Sequence, residues 1–165
     1  MQTTAARVLG PTDGRAVELM TIGVRFMIDG ADAAERFSLV EHPMPPRALA
    51  APLHRHSRED EYSYVTEGRV GALLGDEVVY GEPGDLIFKP RDQWHTFWNA
   101  GDEPARILEI ISPAGFERFF AELGGALSEA PEPDPDALAA LGARYGLEFD
   151  FESIPGLIEE HGLRF

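Results

Sequence analysis

The sequence predicts an all-β fold, an antiparallel sandwich or barrel, continued by a C-terminal helical extension. From about Ala16 to Ile111 short apolar or alternating runs are separated by turn signals at Asp29-Gly30, Gly75-Asp76, Pro83-Gly84 and Gly101-Asp102, the rhythm of strands joined by tight connections. After Ile111 the apolar period lengthens, with Phe116, Phe119, Phe120, Leu123 and Leu127 at helical spacing. A chain of 165 residues with 44% hydrophobic content has the size of one domain with a substantial core.

Within the β region, Val70 to Leu74, Gly75-Asp76 and Glu77 to Tyr80 read as a two-residue hairpin, since glycine at such a turn tolerates positive φ. Ser112-Pro113 offers a cap and a first-turn proline for the phenylalanine helix. Pro131-Glu132-Pro133-Asp134-Pro135 then forces an extended linker, because proline restricts both itself and its predecessor. Shorter helices are expected over Asp136 to Tyr145, ending near Gly146, and over Pro155 to His161, ending near Gly162. The expected division is therefore 1–112 for the barrel with its N-terminal strands and 113–165 for the extension, packed together as one structural domain. Two destinations are open for the apolar face of the extension. It packs on its own core, or Leu138, Leu141, Leu157 and Ile158 cover the barrel mouth or a second subunit, which makes a homodimer one expectation.

Fourteen basic against twenty-nine acidic residues leave a formal charge of -15. That argues against nucleic acid, whose recognition needs a positive footprint, and against anionic membranes. It says little about a small-molecule substrate, because salt screens surface charge over about 8 Å. Cysteine is absent, so neither disulfides nor a thiolate site are available. Met1 to Gly10 hold no apolar run of the length a secretion signal needs, and no later stretch approaches a membrane span, so a cytoplasmic location is expected.

The chemistry concentrates at His54-Arg55-His56-Ser57-Arg58-Glu59-Asp60-Glu61 and at a lone His95. In a strand, residues two apart face the same side, so His54 and His56 reach one ion. Glu61 follows a short polar stretch that bends the chain and brings a carboxylate to the same place. Imidazole with carboxylate suits first-row metals. The second segment, Gly84 to Asn99, spaces glycine, proline, histidine and asparagine as turn, strand, turn and strand.

Here the chain resembles the cupin superfamily. The first family motif, His-X-His, three or four residues, Glu, six residues, Gly, is matched by His54, His56, Glu61 and Gly68. The second, running from a glycine through proline and histidine to asparagine, is matched by Gly84, Pro90, His95 and Asn99. Two positions depart: Ala48 and Asp92 stand where the family has glycine. Aspartate visits left-handed backbone at modest cost, so Asp92 can still form its turn; Ala48 points to a different path into the first motif.

The resemblance implies a double-stranded β-helix, or jelly roll, and a centre of His54, His56, Glu61 and His95 around one divalent transition metal: iron, nickel, manganese, zinc or copper. Glu59 competes with Glu61 by parity, but the motif spacing favours Glu61, leaving Glu59 and Asp60 as solvated turn residues. By alternation His95, Phe97 and Asn99 share one face, and Glu61, Ser63 and Val65 another, with Tyr62 and Tyr64 turned away from the metal. Ser63 and Phe97 are therefore assigned to the pocket, and Phe88 joins them as a further apolar lining suited to an aromatic substrate. Trp94 either walls the entrance or packs on the C-terminal helix. His42 reads as a strand residue and His161 as a cation near a helix C-terminus, neither a ligand.

Three imidazoles and one carboxylate leave coordination positions open, the mark of a catalytic metal. The expected activity is a dioxygenase resembling quercetinases, with an aromatic or enolisable substrate and Glu61 loosening from the metal to accept a hydroxyl proton. The alternatives are a non-oxidative metal-dependent isomerase or lyase, and a non-catalytic ligand-binding cupin.

Overall fold

The computed structural model describes residues 5–165. The strands are β1 (Ala16–Leu19), β2 (Ile22–Ile28), β3 (Ser38–Met44), β4 (Leu53–His56), β5 (Asp60–Glu67), β6 (Val70–Leu74), β7 (Glu77–Gly81), β8 (Leu86–Lys89), β9 (His95–Asn99), β10 (Ala105–Ser112) and β11 (Leu147–Asp150). The helices are α1 (Glu117–Glu129), α2 (Pro135–Arg144) and α3 (Ser153–His161). The strands form a six-stranded sheet, β1-β2-β3-β10-β5-β8, and a five-stranded sheet, β11-β4-β9-β6-β7, with antiparallel neighbours throughout. This is the double-stranded β-helix expected of the sequence.

Alternation sets what each strand buries. In β5, Glu61, Ser63 and Val65 are buried, while Tyr64 and Thr66 are exposed and Tyr62 is half-buried. Strand β9 is buried on both faces. Its inner face carries His95 and Phe97, and its outer face carries Trp98, which packs with Leu49, Leu157 and Leu163. Gly71 makes that packing possible, because a Cβ there would lie 2.3 Å from Trp98 Nε1. Asn99 clasps the neighbouring loops: its amide donates to the carbonyls of Met44, Pro45 and Glu103 at 3.1, 3.0 and 2.8 Å. The hairpin between β6 and β7 turns at Gly75-Asp76 as expected.

The extension differs from expectation in two respects. Helix α1 starts at Glu117, not at Ser112-Pro113, and the Glu117 carboxylate accepts the backbone N–H groups of Gly115 and Gly30 at 2.6 and 3.1 Å. The extension is also not purely helical. Gly146, with φ 74, turns the chain back from α2, and Leu147–Asp150 adds β11 to the edge of β4, placing Leu147 opposite His56 and Phe149 opposite His54. Phe116, Phe119, Phe120, Leu123, Leu127, Leu138 and Leu147 then join Leu19, Val24, Phe26, Val40 and Ile111 in one core cluster. Leu157 packs elsewhere, against Trp98 behind the five-stranded sheet. None of the helices among the described residues is long and apolar enough to cross a membrane.

Candidate metal centre

His54 and His56 leave the same face of β4, His95 projects from β9 with its Cα paired to that of His54, and Glu61 reaches across from β5. All four are buried, and each offers one ligand atom such that these atoms lie within 4.8 Å of one another. Donors roughly 2.0–2.2 Å from one ion lie at most about 4.4 Å apart. The spread of the four atoms exceeds that limit by only a few tenths of an ångström, so the cluster is compatible with a single ion. The carboxylate already bridges the imidazoles, with Oε1 3.5 Å from His56 Nε2 and Oε2 3.2 Å from His95 Nε2.

The hydrogen bonds behind the rings fit a cation. His54 Nδ1 donates to the Pro52 carbonyl at 2.8 Å and His95 Nδ1 to the Gln93 carbonyl at 3.0 Å. Each bond fixes the tautomer that leaves Nε2 as a lone pair facing the cluster. His56 has both ring nitrogens buried without a hydrogen-bond partner. Its Nδ1 lies 3.5 Å from Glu59 Oε2, where the outer carboxylate of a metal-binding imidazole would stand. Burial and the neighbouring imidazoles hold His54 well below its ordinary pKa. Burial, helped by Lys89 and His56, also holds His95 low. For Glu61 burial works the other way, but His56, Lys89 and His95 outweigh it and keep the carboxyl well below its usual range. A lowered His54 and His95 beside an ionised Glu61 suit a divalent metal, which binds neutral imidazole and carboxylate.

Lys89 was missed by sequence reasoning. It is 1% exposed and extends inward from β8, with Nζ 3.1 Å from Glu61 Oε2, 3.0 Å from Glu109 Oε2 and 4.6 Å from the centre of the Phe97 ring. Burial opposes its charge, yet the two carboxylates together raise its pKa. Ser63 Oγ donates to Glu109 Oε2 at 2.7 Å, completing a polar row across the inner face of the six-stranded sheet. The cluster opens on a cavity of roughly 60 Å³ walled by Phe97, Phe116, Phe119, Phe120 and Phe149. Phe116 stands edge-on over His56, ring centres 4.4 Å apart.

Comparison with known proteins agrees with this geometry. The Cupin domain family matches residues 41–111, which contain both histidine motifs. The polyketide cyclase RemF from Streptomyces resistomycificus is 30% identical over 66% of this chain and 80% of its own, with a TM-score of 0.57. The chain belongs to the cupin superfamily. Two curated Streptomyces relatives match as well: the tetracenomycin polyketide synthase protein TcmJ of Streptomyces glaucescens, 36% identical over 84 residues, and the polyketide synthase CurC of Streptomyces cyaneus, 34% identical over 86 residues. These matches cover 51% and 52% of this cupin, which spans about half the length of either relative, 54% in each case.

Within the cupin barrel the structure brings His54, His56, Glu61 and His95 together and puts Phe97 in the cavity wall. Phe88 has to be corrected. It is 48% exposed on the outer face of β8, stacked on Tyr62 with ring centres 4.9 Å apart, because Ile87 and Lys89 take the inward positions. Ser63 faces inward, but its hydroxyl is committed to Glu109. Glu59 is not a solvated turn residue: it is 4% exposed beneath His56. Asp92 does take left-handed backbone, φ 65, and its N–H donates to the His56 carbonyl at 2.7 Å, tying the turn before His95 to the histidine strand. Trp94 is half-buried with the Arg55 guanidinium 5.0 Å above its ring. His161 stacks on Trp98 at the end of α3.

Proposed function

We propose that this cupin is a metal-dependent enzyme acting on an enolisable or hydroxylated aromatic small molecule, with non-oxidative, cyclase-type bond formation as its reaction. The observation that carries this reading is the buried three-imidazole, one-carboxylate cluster opening on a cavity walled by phenylalanine rings. His54, His56, His95 and Glu61 would hold one divalent transition metal, which supplies Lewis acidity toward a ligand oxygen. The aromatic walls exclude water and orient a planar ligand. Glu61 accepts the proton released as the ligand enolises, and Lys89 stands against its other side to balance the charge. The RemF relative is itself a polyketide cyclase, which supports the non-oxidative alternative over the dioxygenase expected of the sequence.

A cavity of roughly 60 Å³ is far below the roughly 300–1,000 Å³ of ordinary ligand pockets. Entry of such a ligand therefore requires the α1 phenylalanines to withdraw. Self-association is part of the same reading. Tyr64, Leu86, Phe88 and Ile110 form an exposed, uncharged face over β8, β5 and β10. On a chain of formal charge -15, that face is where two copies meet with least repulsion.

The test is turnover of diacetylacetone, a linear triketone, by zinc- or nickel-loaded protein under nitrogen. Carbon–carbon bond formation between its ends with loss of water gives orcinol. Orcinol formation without oxygen uptake is the expected result. Turnover that requires oxygen would restore the dioxygenase, and binding without turnover would make the protein a ligand-binding cupin.

A further inference from the structure

Two buried polar groups face the metal cavity and take no part in holding the metal. His42 lies on β3 and Glu109 on β10, both lining the cavity that His54, His56 and Glu61 also line. The register sets His42 opposite Ile107 and Glu109 opposite Val40, which makes the two residues diagonal neighbours on the inner face of one sheet. The imidazoles of the cluster stand on the other sheet, on β4 and β9.

Each group has a free hydrogen-bonding position. His42 Nδ1 donates to the Gly23 carbonyl at 3.1 Å, leaving Nε2 as an acceptor among the rings of Phe97 and Phe120, whose centres lie 6.0 and 5.3 Å away. Burial keeps this imidazole neutral, with its pKa lowered to about 4. Glu109 is 1% exposed. Its Oε2 accepts from Ser63 and Lys89, while Oε1 is buried with no partner. Buried polar atoms of a settled core are almost always paired, and an unpaired one carries the full cost of its lost hydration. A purely structural Glu109 would not keep an oxygen bare at a cavity wall. Burial, against the pull of Lys89, also pushes this carboxyl up to about 7, so it can donate or accept near neutrality.

We infer that His42 and Glu109 form a second polar subsite, on the wall facing the imidazoles, that receives a hydroxyl group of the ligand. This rests on the aromatic or enolisable ligand proposed above and narrows it. One ligand oxygen lies toward the metal ligands, the ring lies against Phe97 in the space that Phe116 and Phe120 vacate, and a second oxygen, meta to the first, meets His42 Nε2 and Glu109 Oε1.

The experiment compares two ring probes, nitroresorcinol and nitrophenol, which differ by the second hydroxyl. Both are titrated by absorbance into zinc-loaded full-length protein, wild type, Glu109→Gln and His42→Phe. The wild type should bind nitroresorcinol roughly tenfold more tightly than nitrophenol, the value of one hydrogen bond to a buried partner. Each variant should lose that preference while keeping its nitrophenol affinity and its zinc. General damage to the barrel would weaken both probes alike, so the ratio isolates the subsite. Should Glu109→Gln not accumulate as folded protein, His42→Phe and His42→Asn decide the question. A preference retained in the variants, or absent from the wild type, overturns the subsite and leaves the aromatic reading standing. Failure of the wild type to bind either probe overturns that reading and the subsite with it.

Discussion

Replacing Lys89 by methionine removes the cation between two buried carboxylates, with Nζ 3.1 Å from Glu61 and 3.0 Å from Glu109. Methionine fills a similar volume, so the loss is electrostatic. Breaking a buried pair by removing one partner costs about 3–5 kcal/mol, or roughly 6–20 °C of melting temperature for a chain of this size. The cost should depend on pH. Glu109 is raised to about 7 in the fold from its ordinary 4.5, so its contribution to stability is present at low pH and lost as pH rises through about 7. Without Lys89 the carboxyl is pushed higher still and stays protonated at pH values where the wild type has ionised. The variant therefore escapes part of its penalty in acid. Between about pH 8 and about pH 5.5 the deficit should shrink by about 1 kcal/mol, because over that range the wild-type carboxyl ionises and the variant's does not. Urea unfolding of metal-free wild type and Lys89→Met at both pH values measures it. Metal-free protein is used so that no bound ion substitutes for the ammonium. A deficit under about 1 kcal/mol, or an equal deficit at the two pH values, would refute the reasoning.

Wild-type protein should carry close to one metal ion per chain by elemental analysis, and His54→Ala and His95→Ala should each lose it, because each removes a donor whose tautomer is already set by a backbone carbonyl. Acid should destabilise the fold partly through His42, whose pKa falls from 6.5 to about 4: the unfolded chain takes the proton first, so stability present above about pH 6.5 declines toward pH 4 by about 3 kcal/mol. His42→Phe should flatten the measured slope by that amount, and an unchanged slope would remove His42 from the account. Deletion after Pro131 takes away α2, β11 and α3, leaves β4 as an uncovered sheet edge paired only to β9 and uncovers the Leu147 side of the cavity. The truncated protein should bind a hydrophobic dye and lose metal; a particle as stable and as tightly metal-bound as the full chain would show the extension to be dispensable.

The strands and ligand candidates were legible because their signals are local. Turn residues punctuate the β region, and the spacing of His54, His56, Glu61 and His95 matches two separate motifs. The surroundings of the site were harder to read, because they depend on which way an element faces after it pairs. The aromatic character of Phe88 points to the pocket, yet strand parity in β8 gives the inner positions to Ile87 and Lys89. Lys89 had no signal as a buried group: its burial depends on Glu61 and Glu109 arriving from β5 and β10. Glu59 sits in a charge run that normally marks a solvated turn, but the turn folds beneath His56. Strand β11 did carry a signal. Leu147, Glu148, Phe149 and Asp150 alternate with period two, and so short a run between helical segments is easily absorbed into them.

The position of β11 links the extension to the chemistry. It pairs directly with β4, the strand that carries two of the imidazoles, and sets Leu147 and Phe149 into the cavity wall. Helix α1 supplies the facing wall through Phe116, Phe119 and Phe120. The six-stranded sheet contributes Glu61 and the inner polar row, and the five-stranded sheet contributes the three histidines. The site is thus closed by segments far apart in sequence. The four candidate donors are held by β4, β5 and β9 within the barrel, whereas the size and polarity of the cavity depend on how the extension docks. Among cupins with the same ligand set, differences in ligand choice should accordingly lie in α1 and β11 and in inward-facing residues such as His42 and Glu109, not in the metal-binding motifs.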